Sequence, residues 1–516
     1  IFRIQHRFGT LDTDWQGAGA SSGMAMAHWE IQGWMILILG WVFVPFYTRS
    51  MVYTMPEFLE RRYNPQSRTI LSVISLVSYV LTKVAVTVYA GGLVFQQVFG
   101  IKELWGIDFF WIAAIGLVVL TALYTIFGGM KSVLYTSVLQ TPILLLGSLI
   151  ILVLGFKELG GWDEMMRVCG AVTVNNYGDT MTNLIRSNDD ANFPWLGALI
   201  GSAIIGFWYW CTDQFIVQRV LSGKNEMEAR RGTIFGAYLK LLPVFLFLIP
   251  GMIAFALHQK YIGAGGEGFL PMLANGTANA DAAFPTLVAK LLPAGVKGLV
   301  VCGILAALMS SLASLFNSSA MLFTIDFYKR FRPETPEKKL VGIGQVATVV
   351  IVILGILWIP IMRSVGDVLY TYLQDVQSVL APGIAAAFLL GICWKRTSAQ
   401  GGMWGLIAGM VIGLTRLGAK VYYSNAGEVA DSTFKYLFYD MNWLFFCGWM
   451  FLFCIIVVIV VSLATKAPTA EKIQGLVFGT ATKEQKAATR ASWNHWDIIH
   501  TVIILAITGA FYWYFW

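Results

Sequence analysis

Twelve stretches of roughly 20 apolar residues recur along the chain, and that recurrence restricts its fold more than any single motif. At about 1.5 Å rise per residue, each stretch is long enough to cross a hydrocarbon core about 30 Å thick. A backbone in lipid must satisfy its own hydrogen bonds, and stretches of this length do so as helices rather than as barrel strands. The apolar segments fall at 31–50, 69–98, 108–127, 133–156, 192–213, 232–257, 292–324, 340–362, 367–394, 401–417, 437–465 and 497–516. A short Gly/Ala/Ser-rich piece at 17–29 precedes them. The expected fold class is an all-α polytopic membrane protein.

Composition agrees with that reading. Hydrophobic residues make up 57% of the 516 positions and charged residues only 13%, against about 25% charged in soluble domains. Disorder, a secreted disulfide scaffold and nucleic-acid binding are excluded on these grounds. The net charge of +7 is better read as a topology signal than as an anionic partner site. Arg61, Arg62 and Arg68 lie in 51–68, and Arg219, Lys224, Arg230 and Arg231 in 214–231. Lys329, Arg330, Arg332, Lys338 and Lys339 lie in 325–339, and Lys466, Lys472, Lys483, Lys486 and Arg490 in 466–496. These connections are expected on the cytoplasmic side, with 157–191, 258–290, 418–436 and the C-terminus outside.

The six cysteines (Cys169, Cys211, Cys302, Cys393, Cys447 and Cys454) show no metal-type spacing and read as small buried hydrophobes. The five histidines are too scattered for a zinc or haem centre. No redox or other organic cofactor is expected.

Three features stand out from the apolar background. Glu30, Asp213, Lys240, Asp367 and Asp375 are ionisable residues at or within spans. A charge at a helix centre costs at least about 2.5 to 3.5 kcal/mol, so such residues face a bundle interior or a watery cavity. For Lys240, the deepest, the competing reading is a snorkelling or ion-paired structural lysine; for Asp213 and Asp367 it is a solvated or capping carboxylate. The second feature is the hydroxyl cluster Ser310, Ser311 and Ser314 with Asn317, Ser318 and Ser319. Such hydroxyls often only bond back to their own helix, yet their oxygens also suit a hard cation such as Na⁺. The third is aromatic and polar density at 207–214 and 370–374. Rings there fit an interfacial belt, and they equally fit a sugar site, where C–H faces stack on rings and hydroxyls find polar partners.

Several long blocks resemble the sodium/solute symporter family, most closely its sodium/glucose (galactose) cotransporters. These are Trp208-Tyr209-Trp210-Cys211-Thr212-Asp213-Gln214 with Ile216-Val217-Gln218-Arg219, then Tyr238-Leu239-Lys240-Leu241, and Leu308-Met309-Ser310-Ser311-Leu312 through Phe316-Asn317-Ser318. Tyr124-Thr125-Ile126-Phe127-Gly128-Gly129, Phe388-Leu389-Leu390-Gly391 and Trp394-Lys395-Arg396 add to them. The resemblance covers roughly 17–465. It implies a LeuT-type fold of inverted five-helix repeats plus additional C-terminal helices, with a first repeat at 17–156, an extracellular loop at 157–191, a second repeat at 192–394 and further helices at 395–516.

The resemblance also implies sugar contacts at Glu30, Trp210, Lys240 and Gln374, with Tyr209 as an aromatic inner gate. It implies a sodium site at the Ala307 carbonyl and the Ser310 and Ser311 hydroxyls, completed by carbonyls of the broken first helix. The partners are then a small sugar, the sodium ion and the lipid bilayer. Substrate and ion would meet at the midplane where helices are interrupted.

Two departures from the family pattern carry expectations of their own. Many relatives have an Asp after the Tyr-Thr of the fifth helix, whereas here Tyr135-Thr136 is followed by Ser137, which points to one Na⁺ per sugar. The family also has a first-helix motif of the type Phe-Ala-Ser-Asn-Ile-Gly-Ser-Gly-His, whereas this chain begins Ile1-Phe2-Arg3-Ile4-Gln5-His6-Arg7-Phe8-Gly9-Thr10. Arg3, Arg7, Asp12 and Asp14 do not belong in a membrane helix. Degenerate codons read one base later from Arg3 to Leu11 spell the missing motif. Residues 1–16 therefore read as frameshifted, the chain as given as an incomplete symporter, and no sugar or sodium role is assigned before Gly17.

The expected function is secondary active symport importing a hexose, glucose or galactose, on the inward sodium gradient in the plasma (inner) membrane. The alternatives are symport of another polyol such as inositol, or a non-transporting sugar sensor. An enzyme is not expected. No paired carboxylate, nucleophile with base, or Cys/His metal set appears at a common depth.

Overall fold

Helix ends are set by residues that take up the backbone groups a helix leaves over. In the computed structural model, α1 (Gly23–Ser50) begins at Gly23 with φ +54°. A Cβ there would lie 2.2 Å from the Met181 carbonyl oxygen, which instead accepts from the Met24 N–H at 2.8 Å. Only glycine suits that turn. Residues 23–29 of the expected small-residue piece thus join the first span instead of preceding it, and 17–21 lie outside the described residues.

Side chains of Thr54 and Asn64, each followed closely by proline, cap α2 (Met55–Arg62) and α3 (Pro65–Phe99). Asp108 caps α4 (Phe109–Leu159), and α5 (Trp162–Gly170) follows it. Next come α6 (Trp195–Thr212), α7 (Gln214–Leu221) capped by Asp213, and α8 (Glu226–Gly263) capped by Asn225. The chain continues through α9 (Ala283–Leu291), α10 (Ala294–Phe331), α11 (Glu337–Val365) and α12 (Leu369–Cys393). It ends with α13 (Ala399–Asn425), α14 (Trp443–Ala464), α15 (Lys483–Ala491) and α16 (His495–Tyr514), the last opened by an Asn494–Asp497 capping box.

The structure describes residues 22–50, 52, 54–272, 276, 278–365, 369–425 and 430–516, with side chains at all of these except 124, 126–140, 361–365, 369–371 and 425. The irregular start at 1–16 and Asp367 lie outside the described residues, as does the Ser137 side chain. Among the described residues, 11 helices are long and apolar enough to cross a membrane, and Phe109–Leu123 is a shorter apolar helix. Together they account for the twelve expected segments. One difference concerns α4, which runs unbroken for 51 residues where two spans joined by a connection were expected. The helical assignment runs on through Gly128 and Gly129, while Leu117 and Ile143 both lie close to the 303–308 stretch of α10.

The bundle is assembled around close helix contacts. α10 lies along α4, and α12, α13 and α14 pack on one another. A Cβ at Gly409 would approach the Gly383 Cα to 2.6 Å, so α12 and α13 touch backbone to backbone. Arg62 Nε donates to the Gly391 carbonyl at 2.7 Å and Tyr63 Oη to the Ala387 carbonyl at 2.7 Å, which ties α2 to α12. The segment between α5 and α6 reaches the ends of α1 and α16. Arg186 Nη2 donates to the Ser22 carbonyl at 2.5 Å, and the Leu184 N–H to the Phe515 carbonyl at 2.9 Å. The expectation for the cysteines needs correcting at two positions. Cys169, Cys211, Cys447 and Cys454 are buried, but Cys302 and Cys393 are exposed, because apolar runs that face lipid also expose their small residues.

Candidate functional site

The site grows from places where helices lose regularity. Phe207–Thr212 at the end of α6 is a widened π-type turn, and Asp213 after it is extended (φ −79°, ψ 127°) before α7 starts. A second π-type turn, Tyr79–Val84, interrupts α3. Such turns redirect side chains and mark functional positions more often than regular helix does.

Tyr209 and Trp210 project from the first turn, both half-buried, with ring centroids 5.1 Å apart and an 81° interplanar angle. From α8, Lys240 places its Nζ 5.7 Å from the Trp210 ring centroid and donates to Glu30 Oε2 at 2.7 Å. Lys240 and Glu30 keep 17% and 18% side-chain exposure. Four of the five residues expected to contact sugar are therefore gathered from α1, α6 and α8. Gln374 sits on α12, which packs against the Phe207–Thr212 turn. It is buried, and its Oε1 meets no hydrogen-bond donor among the described residues.

Of the sodium candidates on α10, Ala307 is half-buried, Ser310 buried and Ser311 exposed. Ser314 and Ser318 of the hydroxyl cluster are engaged in packing, whereas the buried Ser319 Oγ meets no hydrogen-bond partner among the described residues. Gln218 Nε2 donates to Ser318 Oγ at 2.6 Å and to the Ser314 carbonyl at 3.3 Å, and Arg219 Nη2 donates to Ser314 Oγ. Ser318 also bonds back to the Ser314 carbonyl at 2.8 Å. Ala307, Ser310 and Ser311 share one turn of α10, the expected position for the ion.

Asp213 caps α7 by accepting from the Phe215 N–H at 3.0 Å, as its span-end position suggested. It also has a partner that sequence reasoning missed. Lys83 Nζ bonds to Asp213 Oδ2, and Tyr79 Oη donates to Oδ1 at 2.8 Å. The Lys83 ammonium lies 4.8, 5.0 and 4.4 Å from the ring centroids of Tyr79, Tyr209 and Phe215, within cation–π range. A lysine inside the apolar run 69–98 was the available signal. Asp375 likewise pairs with Lys420 on α13.

A family model described as the sodium:solute symporter family matches residues 15–409. The chain belongs to that family. The chain is 35% identical over 477 residues to sodium/myo-inositol cotransporter 2 of Homo sapiens, covering 90% of this chain and 70% of the relative. It is 37% identical over 468 residues to sodium/glucose cotransporter 1 of Ovis aries, covering 87% and 69%. It is 36% identical over 505 residues to a sodium/mannose cotransporter of Bos taurus, covering 93% and 83%. Among solved structures, a Na⁺-coupled sialic acid symporter superimposes with a TM-score of 0.66 at 21% identity, covering 87% of this chain and 86% of that one. Mhp1, a nucleobase-cation-symport-1 family transporter, does so with a TM-score of 0.50 at 12% identity, covering 89% and 90%. The fold is therefore of the LeuT type. This symporter is a multi-pass membrane protein and not an enzyme, and sodium is its coupling ion.

Proposed function

We propose that the symporter imports a hexose, glucose or galactose, across the plasma (inner) membrane on the inward sodium gradient. The observation that carries this reading is the Lys240–Glu30 pair seated on Trp210 beside Tyr209. Glu30 accepts from sugar hydroxyls, Lys240 donates, Gln374 does both, and the rings stack on C–H faces. The Oε1 of buried Gln374, without a partner among the described residues, supports its part, since a polar atom left alone there calls for a donor.

Sodium binds at the Ala307 carbonyl and the Ser310 and Ser311 hydroxyls and favours the outward-open state. One charge moving inward at 100 mV adds about 2.3 kcal/mol of drive. Alternating access follows from rocking of the repeats at 17–156 and 192–394 against each other. With Ser137 in place of a carboxylate, coupling is one Na⁺ per sugar. A Hill coefficient near two for sodium contradicts that stoichiometry.

A second reading, inositol symport, is favoured by relatives named for myo-inositol at 35% identity. Competition of sodium-driven uptake by glucose, galactose and myo-inositol, in the native chain and in Gln374→Glu, separates the two. The hexose reading expects galactose and glucose to displace each other and myo-inositol to fail. Displacement by myo-inositol alone overturns it.

A further inference from the structure

Away from the transport site, a groove of about 690 Å³ opens between α3 and α11 on the outer face of the bundle. Leu76 and Val80 form one wall, and Val346, Val350 and Leu354 the other, with Phe323 of α10 between them. Val346, Val350 and Leu354 are 65%, 50% and 48% exposed, so the groove faces lipid. Among the described residues its sole charged lining residue is Lys339, in the first turn of α11, and the other lining positions are apolar or glycine.

Three observations bear on the occupant of this groove. Gly342, one turn above Lys339, has nothing within 4 Å of where a Cβ would stand, so the channel is open beside the cation. From Gly342 to Leu354 the wall runs about 18 Å along α11, close to the roughly 15 Å hydrocarbon depth of one leaflet. The connection entering α11 is also strongly basic. Residues 329–339 hold five Lys or Arg against Glu334 and Glu337, a net of +3. Arg330 already donates to the Pro65 carbonyl and Thr69 Oγ1, whereas Lys338 and Lys339 are exposed. The positive-inside rule puts that end at the cytoplasmic leaflet, where anionic lipid resides.

We propose that this groove holds one acyl chain of an anionic phospholipid of the inner leaflet, with the lipid phosphate at Lys339. The apolar walls supply the chain's contacts and the basic connection selects the headgroup charge. Neither the sugar contacts nor the sodium candidates line it, so the inference stands apart from the substrate assignment.

The test is native mass spectrometry of the full chain, purified in mild detergent and incubated with equal amounts of phosphatidylglycerol and phosphatidylcholine. The expected result is one retained phosphatidylglycerol per chain. Lys339→Gln should reduce its occupancy about fivefold, the share of one cation at an anionic surface, and Lys339→Arg should keep it. Gly342→Trp should empty the groove. A thermal unfolding curve unchanged from the native chain checks that this variant folds. Equal retention of phosphatidylcholine, or retention indifferent to both Lys339→Gln and Gly342→Trp, overturns the proposal. So does a chain dimer that Gly342→Trp disperses, which would make a second copy the occupant.

Discussion

Lys240 and Lys83 are both lysines within membrane helices, yet their surroundings give them different work. Lys83, 9% exposed, is held by Asp213 and ringed by aromatic faces, so the pair is closed to other ligands. Lys240 keeps 17% exposure, and among the described residues its one hydrogen bond is to Glu30. An ammonium has three donors, which leaves capacity for sugar hydroxyls. Lys240→Ala should therefore raise the half-saturating sugar concentration at least about tenfold, a loss of about 1.4 kcal/mol, in initial-rate uptake. An unchanged value would remove Lys240 from the sugar site. For Lys83→Ala, which strands a buried carboxylate, thermal unfolding in detergent should register a destabilisation of about 3 to 5 kcal/mol. The double variant Lys83→Ala with Asp213→Asn should recover much of that loss. Equal instability of single and double variants would mean that the pair is not what matters there. Sequence singled out Asp213 but not Lys83, because a partner 130 residues away in the chain follows only from the fold.

Helix ends follow from caps that the apolar runs alone did not mark. Asp108, Asn225 and Asn494 each cap a helix, and Asn225 starts α8 at Glu226, ahead of the apolar segment at 232–257. The segments 108–127 and 133–156 read as two spans with a connection, yet the helical assignment of α4 runs through both. The π-type turns at Tyr79–Val84 and Phe207–Thr212 had no sequence signature beyond aromatic density, and they aim Lys83, Tyr209 and Trp210. Contact between α12 and α13 depends on missing side chains. Gly409→Leu should force these helices apart at a cost of at least about 1 to 3 kcal/mol, visible as loss of monodisperse protein in gel filtration. A well-behaved Gly409→Leu protein would show that this contact yields more easily than its geometry implies.

Across the whole molecule, hydropathy located the spans and the resemblance named residues that the fold then gathered. Glu30, Tyr209, Trp210 and Lys240 meet although 210 residues separate the ion-paired partners. How the C-terminal helix joins the bundle was not legible. α16 packs on α1 and α8, with Trp41 Nε1 donating to Thr501 Oγ1 at 2.9 Å and Arg231 paired with Asp497 at 3.2 Å. Those contacts depend on register between distant segments, which periodicity does not encode. Sodium coupling also belongs to this scale, because the ion candidates on α10 and the sugar candidates on α1, α6 and α8 lie on different helices. Ser310→Ala and Ser311→Ala should each raise the half-saturating sodium concentration about tenfold with little change in sugar affinity at saturating sodium. The most direct measurement is labelled galactose uptake into proteoliposomes holding the purified full chain, with sodium or potassium outside. Accumulation above equilibrium under an inward sodium gradient, lost with potassium or with a sodium ionophore and displaced by glucose, is the expected result. Uptake equal in sodium and potassium, or none for any hexose, would contradict sodium-coupled hexose import.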